Sequence, residues 1–174
     1  MTKDFTRPRR HSIRLPGHDY CAPGAYFVTI CAHRRACLFG DIANGEMHTN
    51  RLGALVRSCW NDIPDHFPNV LPDAFAVMPN HVHGIVFLGG VAAQHASPLH
   101  QNIKAGSLPA IVRSFKAVST KRIREFLGDD RVRVWQPNYY EHLVRNELDL
   151  EQMREYIINN PAMWAEDDEN PGEG

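Results

Sequence analysis

Runs of apolar and β-branched residues predict three strands and a hairpin in the first half of the chain. Residues 25–32 (AYFVTICA) lie between Pro-Gly and His-Arg-Arg, a pattern typical of a strand. Residues 74–78 and 81–88 predict two more strands, with a chain break expected at Pro72. The segment 81–88 is apolar almost throughout, which favours an interior position in a sheet. The short, glycine-punctuated segment 39–47 predicts the hairpin.

Apolar residues at helical spacing predict three helices. The first covers residues 50–66 and begins at an asparagine suited to cap it. The second, at residues 107–127, is amphipathic and basic. The third follows Asn146, another capping residue, and ends before Pro161, which cannot continue a helix. Between the last two helices, residues 132–135 predict a short strand.

The order of these elements predicts a two-layer α/β or α+β domain with helices packed on a small sheet. A length of 174 residues is typical of one domain. We expect a basic N-terminal arm at residues 1–24, the domain at residues 25–164, and an acidic, disordered tail at residues 165–174. Residues 89–106 mix Gly, Ala, His, Gln and Ser, which predicts a mobile loop.

The net charge of −1 taken alone argues against a nucleic-acid partner, but the charges are unevenly distributed. Residues 104–145 carry nine Lys and Arg against four acidic residues, and residues 1–14 carry five against one. Residues 147–174 carry one basic residue against nine acidic ones. Basic segments of this kind are the electrostatic footprint of a phosphate-backbone partner. Solvated charged faces are the alternative, and charge does not decide between the two.

Neither membrane insertion nor export is indicated by the sequence. No run of apolar residues approaches the roughly 18 that can span a membrane. The N-terminal residues are charged and lack an apolar core, so they do not form a secretory signal. We therefore expect a cytoplasmic protein with no membrane partner.

The segment MPNHVHG, at residues 78–84, carries the first candidate chemistry. Alternate residues of a strand share a face, so His81 and His83 project the same way, close enough to bind one divalent ion. Val82 between them points into apolar packing. Two imidazoles are incomplete coordination, so a further ligand must come from elsewhere. The alternative is a pair of ordinary core or surface histidines.

The last predicted helix carries the second candidate chemistry. Residues four apart stack on one helical face, so Gln152, Tyr156 and Asn160 form a polar stripe. An apolar stripe beside it is suited to dock the helix on the sheet: Leu150, Met153 and Ile157. Docking beside the histidines would bring the Asn160 amide oxygen to the metal and Tyr156 to a substrate phosphate. The alternative is a tyrosine packed at a helix–sheet seam with its hydroxyl hydrogen-bonded.

Both motifs, in this order, resemble the HUH single-tyrosine transposases, and within them the REP-associated tyrosine transposases of bacterial chromosomes. The resemblance covers residues 25–164 and includes YFVTICAHRR, SFKAVSTKRI and WQPNYYEHLVRNELDLEQMREYIINNP. It implies an α+β fold with a ferredoxin-like or RRM-like antiparallel sheet flanked by helices. It also implies that His81, His83 and Asn160 bind Mg²⁺ or Mn²⁺ and that Tyr156 is the nucleophile.

The resemblance further implies metal-dependent cleavage and strand transfer of single-stranded DNA through a 5′-phosphotyrosine. The expected substrate is a hairpin of the repetitive extragenic palindrome (REP) type, and the expected location is the nucleoid. We expect a monomer, with a homodimer as the alternative. Tyr139 and Tyr140 are weaker candidates for the nucleophile, because the family's nucleophile lies later in the chain.

Basic residues of the N-terminal arm and of the second helix are the candidate DNA contacts: Arg7, Arg9, Arg10, Arg113, Lys116, Lys121, Arg122 and Arg124. Two other functions are compatible with the sequence. One is a non-catalytic module that binds single-stranded nucleic acid on an RRM-like sheet. The other is a metallohydrolase that uses His81 and His83 and has water as its nucleophile.

Overall fold

The computed structural model describes residues 22–89 and 106–172. Residues 1–21 of the predicted basic arm, with Arg7, Arg9 and Arg10, and residues 90–105 of the predicted loop lie outside the described residues. The division of the chain into arm, domain and tail stays a prediction.

The described residues form six strands, four α-helices and short 3₁₀ turns. The strands are β1 (Gly24–Cys31), β2 (Gly40–Ala43), β3 (Glu46–Thr49), β4 (Val70–Val77), β5 (His81–Leu88) and β6 (Tyr140–Val144). The helices are α1 (Arg51–Asn61), α2 (Ile63–His66), α3 (Leu108–Leu127) and α4 (Glu147–Asn159). Among these helices, none is long and apolar enough to cross a membrane.

Strands β4, β5, β1 and β6 form one antiparallel sheet in that order. Along the chain the elements run β1-α1-β4-β5-α3-β6, which is the ferredoxin-like β-α-β-β-α-β arrangement. The predicted hairpin, β2-β3, is inserted between β1 and α1. The predicted α+β fold is therefore confirmed, and so is the interior position of β5.

Alternation along the strands places an apolar layer on each face of the sheet. On one face, alternate residues of β1 and β5 pack with α1 and α3 in a core that contains Tyr26, Val82, Trp60 and Phe115. On the other face, the predicted apolar stripe of α4 is buried against the sheet: Leu150, Met153 and Ile157 pack with Phe27 and Ile85. Helix α4 thus covers the face that carries the odd-numbered residues of β5.

The first predicted helix is divided in two. The Asn50 side chain caps it as expected, accepting hydrogen bonds from the backbone N–H groups of Leu52 at 2.9 Å and Gly53 at 3.0 Å. The helix ends at Asn61, and α2 begins two residues later. Pro64 has no N–H to donate to the carbonyl four residues earlier, so a continuous helix cannot form across this point.

The strand predictions need three corrections. Strand β4 begins at Val70, so Pro72 lies inside it, at a shift of register on the edge of the sheet where a missing N–H is tolerated. Residues 132–135 do not form a strand, because Trp135 makes only an isolated bridge to Ala32. Strand β6 was not predicted: its five residues are all half-buried, and pairing with β1 rather than an apolar pattern stabilises it.

The prediction of a disordered tail at residues 165–174 is wrong for residues 165–172. A 3₁₀ turn covers Trp164–Glu166, and Glu169 is only 5% exposed. Glu169 forms an ion pair of 3.0 Å with Arg35, which follows β1. Glu169 is therefore held against the domain by a specific polar contact, while Glu166 and Asp168 are exposed.

Packing across β5 depends on the absence of a side chain at Gly84. A Cβ at this position would lie 2.3 Å from Cζ2 of Trp60, a residue that is 2% exposed. We expect Gly84→Ala to lower the free energy of unfolding by about 1–3 kcal/mol, as other overpacked cores do, in urea unfolding measurements. Gly24→Ala is the control, because its Cβ would meet its nearest atom at 3.5 Å. Equal stabilities of the two variants would contradict this account.

Candidate metal and nucleophile site

His81 and His83 project from the face of β5 that α4 covers, and both are buried. Their Nε2 atoms lie 2.8 Å apart. Val82 between them is buried in the core on the opposite face. The paired orientation predicted from the sequence is therefore present, and the two Nε2 atoms meet at one point.

Asn80 contacts Nδ1 of His81, the ring nitrogen that points away from His83. The distance from His81 Nδ1 to Asn80 Oδ1 is 2.8 Å. The Asn80 amide nitrogen donates to the carbonyls of Arg35 at 3.1 Å and Glu169 at 2.6 Å, so its oxygen must face the imidazole. An amide oxygen only accepts, and therefore Nδ1 of His81 carries the proton and Nε2 keeps its lone pair for a ligand.

His83 is held by strand β1. Its Nδ1 lies 2.8 Å from the hydroxyl of Thr29, its neighbour in the β1–β5 pairing. The Phe27 ring stacks on the imidazole with a centroid distance of 5.5 Å and an interplanar angle of 24°. These contacts set the ring orientation and leave Nε2 directed towards His81. Outer hydrogen bonds of this kind orient histidines that bind metals.

Asn160, the third ligand implied by the resemblance, lies at the end of α4 and is buried. Its amide nitrogen donates to Oδ2 of Asp167 at 2.9 Å. Its Oδ1 is buried and has no hydrogen-bond partner among the described residues. Leaving such an oxygen unsatisfied costs about 1–3 kcal/mol. A cation would supply the missing partner, so the residue fits the ligand role chemically.

Asp167 is a candidate ligand that sequence reasoning missed. One ligand atom from each of His81, His83 and Asp167 lies within 4.8 Å of the others. Two imidazoles and a carboxylate form a set that can hold a divalent metal ion. The only signal in the sequence was an acidic residue within the run EDDE, and a run of acids is typical of solvated tails.

Tyr156 lies beside this group. Its ring centroid is 5.1 Å from that of His83, and its ring is T-shaped against Phe27 at 5.9 Å. The side chain is half-buried, so part of it is exposed at the surface. Helix α4 therefore presents Tyr156 and, one turn later, Asn160 on the side that meets β5.

The tyrosine doublet is divided between the two faces of the sheet, because consecutive residues of an extended chain point in opposite directions. Tyr139 packs with the core under α1 and α3, and its ring lies 5.9 Å from Nζ of Lys116. Tyr140 is on the α4 face and contacts Phe27 at 6.3 Å between ring centroids. Of the three tyrosines, it is Tyr156 whose ring packs on His83.

The basic residues of α3 border an open groove of about 720 Å³ between this helix and residues 130–137. Arg113 and Lys121, two of the candidate DNA contacts, are exposed along it, and so is Arg133, which the sequence did not single out. Arg124 also borders it and donates through Nε to the Val132 carbonyl at 2.9 Å. Arg122 instead forms an ion pair of 2.8 Å with Asp62.

Lys116, another of the candidate DNA contacts, forms hydrogen bonds within the protein. Its ammonium group donates to the carbonyls of Gln136, Pro137 and Asn138 at 2.7, 3.2 and 2.9 Å. An ammonium has three hydrogens to donate, and three carbonyls are present to accept them. Burial lowers the pKa of Lys116 to about 8. This residue therefore holds the loop before β6, and its contact with DNA stays a prediction.

With this geometry established, comparison with known proteins places the chain in a family. It is 43% identical over 168 residues to an uncharacterized protein of Haemophilus influenzae, with 91% of each chain covered. The chain belongs to the family of this protein. It is also 24% identical over 149 residues to a Haemophilus influenzae protein provisionally described as a REP-associated tyrosine transposase, covering 83% of this chain and 73% of that one. No protein-family model matches the chain.

A solved structure shares the fold. It is the REP-associated tyrosine transposase bound to a REP hairpin, with a TM-score of 0.56 and 21% identity, covering 91% of this chain and 74% of that one. The resemblance to REP-associated tyrosine transposases that was predicted from the sequence is confirmed. At this identity the structural likeness shows the fold.

The position of α4, and with it Tyr156, depends on contacts at the helix N-terminus. The Asn146 side chain accepts from the N–H of Asp149, as predicted, at 2.9 Å. The Asp149 carboxylate accepts from the backbone N–H of Arg145 at 2.9 Å and contacts His142 Nε2 at 3.0 Å. Burial opposes ionisation, but these hydrogen bonds and the charges of His142 and Arg145 outweigh it and hold the pKa of Asp149 below its usual value.

We expect Asp149→Asn to lower the free energy of unfolding by about 1.5 kcal/mol at pH 7, the lower end of the range for a hydrogen bond to a charged group. The folded-state pKa lies below that of the unfolded chain, which is about 3.9. The stabilisation is therefore fully present above that value and disappears as the pH falls through the folded-state pKa. Urea unfolding between pH 7 and pH 2 measures this difference. Glu147→Gln, in the same helical turn, is the control, and a difference that persists unchanged at low pH would exclude the carboxylate as its cause.

Proposed function

We propose that this protein cleaves and rejoins single-stranded DNA by metal-dependent transesterification, with Tyr156 as nucleophile and His81, His83 and Asn160 as metal ligands. The observation that carries the proposal is the meeting of the two Nε2 atoms 2.8 Å apart, with the Tyr156 ring 5.1 Å from that of His83. A nucleophile beside a pair of oriented ligand nitrogens is the arrangement that such a reaction requires.

The metal-binding residues suit Mg²⁺ or Mn²⁺, and a bound ion of this kind would neutralise charge on a non-bridging phosphate oxygen. His81 contributes a neutral imidazole whose tautomer Asn80 determines. Asn160 contributes an amide oxygen that is buried and without a hydrogen-bond partner among the described residues. Imidazole with oxygen ligands accepts either ion.

Tyr156 performs the covalent step. Its phenol oxygen forms a bond to phosphorus while the bond from phosphorus to the 3′-oxygen breaks. The phenol loses its proton, and the departing 3′-oxygen gains one, so that a 3′-hydroxyl and a 5′-phosphotyrosine result. Attack by a 3′-hydroxyl on the phosphotyrosine reverses these changes and rejoins a strand. One phosphodiester is exchanged for another, so no external energy source is needed.

For the DNA we propose a hairpin of the REP type, the ligand named for the solved relative. Its backbone would follow the groove beside α3, where Arg113, Lys121 and Arg133 are exposed. Backbone hydrogen bonds connect this groove to the site: Gln136 N–H donates to Cys31 at 2.9 Å, and Ala32 N–H donates to Asn80 at 2.7 Å. We propose that the protein acts as a monomer, because the Tyr156 ring packs on His83 of its own chain.

A binding module of the RRM type requires an exposed sheet face on which bases can stack. Here α1 and α3 cover one face, and α4 covers the other with a buried apolar cluster. This arrangement disfavours the non-catalytic alternative. The metallohydrolase alternative predicts turnover without a covalent adduct, so the next experiment distinguishes it from the proposal.

Tyr156→Phe is expected to abolish a covalent protein–DNA adduct, because phenylalanine has no oxygen to attack phosphorus. Single-stranded hairpins taken from DNA flanking the gene and labelled at the 3′ end, which stays with the 5′-phosphotyrosine, would be incubated with protein and Mn²⁺ and would give a labelled band on a denaturing protein gel. Tyr140→Phe is the matched control and should keep the adduct. Cleavage that survives Tyr156→Phe without any adduct would support water as the nucleophile and refute the proposal.

Removing charge from the groove should weaken DNA binding and its salt dependence. We expect the double variant Arg113→Gln, Arg133→Gln to reduce the slope of log K against log salt by about 0.7–0.9 for each phosphate that is no longer neutralised. Fluorescence anisotropy with a labelled hairpin at several salt concentrations measures the slope. Arg51→Gln, an exposed basic residue on α1, should leave it unchanged. Equal slopes for all three proteins would place the DNA elsewhere.

A further inference from the structure

We infer that Asp167 is an anionic ligand of the same metal ion, supplied by the C-terminal segment that follows α4. This inference rests on the proposed function, since it concerns the ion that His81 and His83 would bind. From the sequence, this segment was predicted to be disordered and was given no catalytic role.

Geometry places the Asp167 carboxylate with the histidines. One of its oxygens belongs to the group of ligand atoms that lie within 4.8 Å of one another. Oδ2 accepts from the Asn160 amide at 2.9 Å, so the carboxylate also determines which way that amide is turned. An amide must direct its nitrogen towards a carboxylate, and the opposite atom, Asn160 Oδ1, is the buried oxygen without a hydrogen-bond partner among the described residues.

The segment that carries Asp167 contacts the site on both sides of this residue, through Trp164 before it and Glu169 after it. The Trp164 ring lies over His81 with a centroid distance of 6.0 Å. Beyond Asp167, the Glu169 carbonyl accepts from the Asn80 amide that orients His81, and the Glu169 side chain pairs with Arg35. The same contacts therefore hold the histidine tautomer and the position of the carboxylate.

Charge favours a carboxylate in this position. Neutral imidazoles and an amide leave the full charge of a divalent ion uncompensated inside the protein, where unpaired charge is costly. A carboxylate removes one unit of that charge, and carboxylate oxygen is a preferred ligand for Mg²⁺ and Mn²⁺.

A purely structural role is the competing explanation. Asp167 Oδ1 accepts from the backbone N–H of Glu169 at 2.7 Å, so the residue also caps a turn. Each carboxylate oxygen has two lone-pair positions, however, so one oxygen can accept a hydrogen bond and bind a metal at the same time. Asp167→Asn tests the difference, because the amide keeps an oxygen to accept these bonds and loses the negative charge.

The test measures the binding of Mn²⁺ to the full chain without DNA. The electron paramagnetic resonance signal of the free ion reports how much Mn²⁺ remains unbound. We expect Asp167→Asn to weaken binding at least about 10-fold, the lower end of the loss seen when support for a metal site is removed. Asp168→Asn, the exposed neighbour, should bind as the wild type does. The absorption spectrum of bound Co²⁺ should also change in Asp167→Asn, because one oxygen ligand becomes neutral.

The outcomes separate this inference from the proposed function. One outcome would refute the inference and leave the metal site intact. In that outcome the wild type binds Mn²⁺ and His81→Ala abolishes binding, but Asp167→Asn binds Mn²⁺ with wild-type affinity and has an unchanged Co²⁺ spectrum. If the wild type binds no Mn²⁺, the proposed metal site itself fails. Thermal unfolding of Asp167→Asn without metal shows whether the variant folds. A variant that folds like the wild type and binds metal more weakly supports the inference.

Discussion

The alternation of side chains along β5 is the constraint on which both the core and the site depend. His81 and His83 face α4, while Val82 and Gly84 face the core under α1 and α3. Pairing with β1 sets this register, with Thr29 opposite His83. A slip of one residue would move both imidazoles into the apolar core and the valine to the site, so register is strongly determined here.

Burial of two imidazoles requires that their polar atoms be satisfied, and this requirement organises the surroundings. Asn80 and Thr29 occupy the outer nitrogens. Asn80 in turn needs acceptors for its own amide hydrogens and finds them in carbonyls of Arg35 and Glu169. A network of this kind is stabilising only when every member has a partner. It therefore joins the end of β1, the start of β5 and the C-terminal segment into one polar unit.

The two faces of the sheet differ in what they contribute: one forms the main apolar core and the other carries the candidate site. One face, under α1 and α3, is apolar and carries no candidate chemistry among the described residues of β1 and β5. The other is covered by a single helix that is fixed by apolar packing along its length and by Asp149 at its start. A further ion pair of 2.7 Å joins Arg154 on this helix to Asp73 on β4. A helix attached in these ways can hold a half-buried tyrosine at a constant distance from the histidines.

The sequence by itself determined what depends on local spacing. A period of two placed His81 and His83 on one face, and a period near four placed Tyr156 and Asn160 on one side of α4. Capping by Asn50 and Asn146 was visible because an N-cap hydrogen bond joins residues only two or three apart. The order of strands and helices was sufficient to predict a two-layer α/β or α+β domain, and the family resemblance implied the α+β class.

Only the tertiary structure decided what depends on contacts between distant residues. Strand β6 has no apolar pattern of its own and is defined by pairing with β1. Lys116 is basic in the sequence like its neighbours, but its ammonium group donates to three carbonyls some twenty residues later in the chain. Asp167 belongs to an acidic run that is typical of solvent, and it reaches the histidines because α4 brings the chain back across the sheet. Local sequence carries no information on such placements, since they follow from how packed elements meet.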